Sequence, residues 1–110
     1  MNDVVSKSSL PPGRQRLLEI MQALNFGTIE GLAVASGEPV LDPPPRITRE
    51  VKFGAENGAR PESSLGDFAI KVQVRELFDA ITEIRDGVIE RIEVRHGLPF
   101  RMIIAETCTR

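Results

Sequence analysis

Tryptophan and tyrosine are absent, and five phenylalanines are the only aromatic residues in a chain of 110. Two of the usual anchors of protein interfaces and of base-stacking platforms are therefore missing. The single cysteine, Cys108, lies near the last residue, which excludes an intramolecular disulfide and a cysteine-built zinc cage within one chain. The single histidine, His96, has no second histidine or cysteine near it in sequence, so it reads as a turn residue and not as a metal ligand or general base. No G-x-S-x-G elbow, Walker A or H-E-x-x-H motif occurs. The expectation is no catalytic residue of a familiar class, no metal and no cofactor.

Long apolar runs are missing too. No stretch approaches the length of a membrane span, and MNDVVSKSSLPPG at the start holds no apolar core of signal-peptide length, so the expectation is a cytoplasmic protein without membrane contact. Charge of one sign is not in excess: 14 Lys and Arg face 16 Asp and Glu, interleaved along the chain. That balance argues against general affinity for polyanions while permitting a local basic patch.

What is present is one domain's worth of apolar residues, 41% of the chain, in two periodic patterns. Residues 1–10 are polar and Ser-rich and read as a disordered tail before a single domain over 11–106. Leu17, Leu18, Met21 and Leu24 recur at helical spacing after Pro11-Pro12, predicting a helix from about Gly13 to Asn25, closed by a left-handed Gly27. TIEGLAVASGEPVL then reads as a hairpin turning at Ser36-Gly37. Three prolines, Pro43 to Pro45, break the ladder, and 46–53 reads as a further edge strand with Ile47, Val51 and Phe53 on one face. Residues 54–64 read as a loop. Ser64 to Asp67 have capping-box spacing and predict the start of a second helix carrying Ile70, Val74, Leu77, Phe78, Ile81 and Ile84, although 67–74 also alternate as a strand does. Gly87 is expected to close it, before a second hairpin over GVIERIEVRHGLPFRMIIAE.

An offset of sixty residues superposes Gly27, Ile29, Glu30, Val34, Gly37 and Pro39 on Gly87, Ile89, Glu90, Val94, Gly97 and Pro99 without a gap. The helix stripes superpose as well, Leu17, Leu18, Met21 and Leu24 on Leu77, Phe78, Ile81 and Ile84. Residues 14–40 and 74–100 thus read as an internal repeat. One helix and two strands cannot cover their own apolar sheet face, so the expected fold is α+β: two helix-hairpin (αββ) units joined in an antiparallel sheet with both helices on one face.

Asn25-Phe26-Gly27-Thr28-Ile29, followed by Val34 and Gly37, resembles the YezD-like small bacterial proteins, in which an amphipathic helix runs into an aromatic-Gly turn and a short hairpin. The second half departs from that pattern at Arg85-Asp86-Gly87, and 43–64 have no counterpart. The resemblance implies this architecture and a bacterial origin, and no activity.

Two sets of residues are candidates for function. Glu30 and Glu90 occupy equivalent positions, and a twofold relation between halves would let the carboxylates approach and split their pKa values as acid–base chemistry needs. An ion pair with Arg49, Lys52 or Arg101 is the simpler reading of either. Arg46, Arg49, Lys52 and Arg60, with Asn57 between, form the one basic segment, suited to phosphate or single-stranded nucleic acid, or serving as charged protection of an edge strand.

Strand parity places Ile29, Ile89 and Ile103 on the face opposite Leu32, Val34, Ile92, Val94, Phe100, Met102 and Ile104, so a second cover is expected. The reading that follows is a non-catalytic module for protein interaction or self-assembly, with a homo-oligomer or protein partner. The alternative is nucleic-acid or phosphate binding through 46–60. Parity also predicts a three-residue second turn, His96-Gly97-Leu98, setting Val94 against Phe100 and Ile92 against Met102.

Overall fold

The computed structural model describes residues 9–54 and 71–105. Helix α1 (Pro12–Leu24) starts with proline in its first turn, where the missing N–H is not needed, and buries Leu17, Leu18, Met21 and Leu24. Helix α2 (Val72–Ile84) buries Val74, Leu77, Phe78 and Ile81. The chain is α+β, with strands β1 (Gly27–Ala35), β2 (Glu38–Val40), β3 (Arg46–Arg49), β4 (Gly87–Arg95) and β5 (Leu98–Ile104) in one antiparallel sheet ordered β2-β1-β4-β5.

β3 adds to the edge of β1 already used by β2: Ala33 to Ala35 pair with β2 and Gly27 to Glu30 pair with β3. The five segments therefore run in four lanes, the outer lane of the first unit being interrupted where three prolines withhold ladder donors. Both helices bury their stripes in one cluster with Ile29, Leu32, Val34, Ile89, Ile92 and Val94, so one sheet face is covered and the other is open among the described residues.

The two units match in detail. Asn25 and Arg85 close the helices with φ 65° each, and Ser36-Gly37 and His96-Gly97 are two-residue turns with all four φ values between 54° and 75°. The Gly37 N–H donates to the Arg85 carbonyl and the Gly97 N–H to the Asn25 carbonyl, both at 2.9 Å, so each hairpin tip is tied to the end of the other unit's helix.

Several expectations are corrected. The helices close at Asn25 and Arg85, not at the glycines. Gly27 is needed because a Cβ there would run into the Thr48 carbonyl oxygen of β3. α2 begins at Val72, with Lys71 extended before it, so Ser64 is not its cap, and residues 55–70 lie outside the described residues. The strand expected over 46–53 stops at Arg49, and Phe53 is 97% exposed. Leu10, assigned to the tail, packs on the core. Residues 1–8 and Cys108 lie outside the described residues.

The second turn holds two residues, and Val94 pairs with Pro99. A bulge between Glu93 and Val94 takes up Phe100 and restores Ile92 opposite Met102 as expected, but leaves Phe100 58% exposed instead of in the core. Parity fails a second time in the middle of the sheet. Ile29 and Ile89 lie fully buried on the helix side with Leu32 and Ile92, a spacing of three residues in each strand. The ladder pairs Glu30 with Arg91 and Leu32 with Ile89, and between these rungs Gly31 takes φ 72°, so both strands change the face they present at the same point. Of the three isoleucines expected to point away, only Ile103 remains exposed.

Candidate functional site

The face switch at Gly31 lifts Glu30 and Arg91 onto the uncovered side of the sheet as a facing pair. Neighbouring rungs add Glu93, opposite Arg101 on β5, and Arg46 of β3, opposite Glu30. The result is a ladder of charge running Arg46, Glu30, Arg91, Glu93, Arg101 across all four lanes, alternating in sign at every step.

Its geometry is graded. Arg101 Nη2 donates to both carboxylate oxygens of Glu93 at 3.0 Å, and the Glu93 side chain is only 14% exposed. Arg91 bridges the two acids, with Nη1 3.9 Å from Glu93 Oε2 and Nε 3.7 Å from Glu30 Oε2. Arg46 Nε closes the row 3.9 Å from Glu30 Oε1. The longer pairs, at 3.7 to 3.9 Å, add at most about 1 kcal/mol each to folding stability, a small part beside the buried core that joins sheet and helices.

Glu30 and Glu90 line one shallow depression with Gly31, Val88, Arg91 and Ile103. The chain thus brings the two equivalent carboxylates to a common site, but places Arg91 against Glu30, where Gly31 stands in the other unit. A carboxylate held between Arg46 and Arg91 is suited to fixing charge. The depression is open to solvent, unlike the enclosed pocket that a carboxylate pair needs for proton transfer. Among the described residues no group of three or more His, Cys, Asp or Glu is placed to hold a metal ion.

The basic segment does not assemble into one patch among the described residues. Arg46 joins the ladder, while Arg49 turns to α1 and its Nη1 donates to the carbonyls of Ala23 at 3.2 Å and Leu24 at 3.0 Å, completing the helix C-terminus. Lys52 lies past the strand with Nζ 5.2 Å from the Phe26 ring centroid. Asn57 and Arg60 lie outside the described residues.

The sequence does not single out Arg91 or Glu93, and it offers Arg101 as a partner for Glu30 or Glu90, whereas Arg101 pairs with Glu93 and Glu30 lies between Arg46 and Arg91. The alternation Glu90-Arg91-Ile92-Glu93 carries a trace of Arg91 and Glu93, but the assembly into one row depends on the register of four lanes. Arg14 was missed as well. It reaches from α1 to Glu38 Oε1 at 2.9 Å, the Gly37 carbonyl at 3.0 Å and Thr82 Oγ1 at 2.8 Å, pinning the first turn between the helices.

No protein-family model, no curated protein and no solved structure matches the chain.

Proposed function

We propose that this chain is a non-catalytic interaction module that offers its uncovered sheet face to a protein partner. The observation that carries the reading is the five-residue ladder. A row of alternating charge spanning every lane contributes little to folding, yet it supplies a fixed electrostatic pattern, and complementary charge gives an interface its register and its discrimination between partners. Val88 and Ile103 stand exposed in the depression beside the row, so an apolar contact is available where the charges set orientation. The resemblance of Asn25 to Ile29 to the YezD-like proteins adds support for the helix–hairpin unit and for a bacterial source.

The experiment is site-specific photocrosslinking in the native host. A benzoylphenylalanine replacing Val88 on the open face should give a discrete protein adduct, and the same residue replacing Glu83 on the exposed side of α2 should not. Adducts of equal yield from both positions, or none from Val88, reject the open face as the contact surface.

A further inference from the structure

The two edges of the sheet are not alike. On the first unit the outer lane is β2 and β3, broken by Pro43, Pro44 and Pro45, which cannot donate to an added strand. On the second unit the outer lane is β5, unbroken over Leu98–Ile104, with no strand beyond it among the described residues. Edge strands are ordinarily protected by free charge, bulges or proline. β5 has Pro99 and the Phe100 bulge at its beginning, but its one charged residue, Arg101, is turned toward β4 by two hydrogen bonds to Glu93. Beyond it Met102, Ile103 and Ile104 present an apolar edge, with Ile103 38% exposed.

The helix beside that edge is also less closed than its counterpart. In the first unit a Cβ on Gly13 would stand 3.0 Å from the Pro39 carbonyl oxygen, so glycine lets α1 lie against β2, and Ile20 packs onto the core. At the equivalent positions α2 carries Gln73 and Ala80. A groove lined by both, with Leu77, Phe100 and Met102, remains open between α2 and β5.

The geometry points to a second copy of this chain as the occupant, its β5 added antiparallel to β5 about a twofold axis at Met102. Because only one edge accepts a strand, the pairing is isologous and closes at a dimer, where two open edges would propagate a fibre. Side-chain parity allows axes only at whole residues. An axis at Arg101 sets two guanidinium groups against each other; an axis at Met102 sets Met102 against itself at the groove, Phe100 against the partner's Ile104, and Arg101 against the partner's Ile103. The Arg101 stem, its charge held by Glu93, then covers Ile103. The inference shares Arg101 and Ile103 with the open face but does not require the ladder to meet a partner.

The test is the association state of the full chain by sedimentation velocity from about 1 to 100 μM, a range that spans an ordinary dimer affinity. A concentration-dependent dimer is expected. Ile103→Lys sets an ammonium beside the partner's Arg101 and should weaken it at least about tenfold, while Ile103→Glu should preserve or tighten it. Arg91→Glu, which breaks the ladder, should leave the dimer unchanged. In a Cys108→Ser background, Met102→Cys should oxidise to a covalent dimer, and Ile47→Cys on the opposite edge should not. A monomer at every concentration, equal effects of the two Ile103 substitutions, or no covalent dimer from Met102→Cys overturns the proposal.

Discussion

Phe26 and His96 meet edge to face with ring centroids 4.8 Å apart, at the corner where the second hairpin turn rests on the end of α1. At the equivalent corner the same two positions are Asp86 and Ser36, joined by a hydrogen bond from the Ser36 N–H to Asp86 Oδ1 at 3.0 Å. One backbone geometry is therefore closed by an aromatic contact on one side of the molecule and by a charged acceptor on the other.

The aromatic corner predicts a measurable coupling. A double-mutant cycle of Phe26→Leu and His96→Asn should give an interaction energy of about 0.5–1.5 kcal/mol by urea unfolding, Asn being chosen because it tolerates the φ of 57° at His96. Additive effects of the two changes would mean that the rings touch without stabilising each other. Asp86→Ala, at the more exposed corner, should cost about 0.5–1 kcal/mol.

Gly27 and Gly31 are both glycine for reasons that substitution separates. Gly27→Ala forces a methyl into the Thr48 carbonyl and should cost about 3 kcal/mol with loss of β3 pairing. Gly31→Ala meets no atom within 4 Å and bears only the strain of φ 72°, about 1–2 kcal/mol. Denaturant midpoints that rank the two the other way round would contradict the account of the face switch.

Gln22 is a buried polar side chain, 3% exposed, whose Oε1 has no hydrogen-bond partner among the described residues. Gln22→Met keeps the shape and removes the buried acceptor, so it should raise stability by about 1 kcal/mol. A loss of stability on calorimetric melting would show that Oε1 is satisfied, for instance by a bound water.

The helices were legible because their burial is a local property: Leu17, Leu18, Met21 and Leu24 specify a face whatever the rest of the chain does. The turn at Ser36-Gly37 was legible for the same reason. The faces of the strands were not, because counting by twos presumes an unbroken pleat. Gly31 inside a strand was the available warning, since an isolated strand glycine often marks a departure from regular pleating. Phe100 carried no such mark, and its exposure follows from a bulge that the two-residue turn at His96-Gly97 requires if Ile92 is still to meet Met102. Of the candidate residues, Glu30 and Arg46 belong to the ladder, but Arg91, Glu93 and Arg101 join it only through the pairing of β1, β4 and β5. A charged row across four lanes has no signature in any one segment.

Whether the ladder orients a protein partner on the open face is tested by joining the crosslinker at Val88 to reversals within the ladder. The adduct formed from Val88 should fall at least about tenfold when Arg91→Glu or Glu30→Arg is introduced, the loss expected when like charges replace a complementary contact, while circular dichroism and melting temperature stay close to those of the parent. An adduct that persists at full yield through both reversals would contradict the claim.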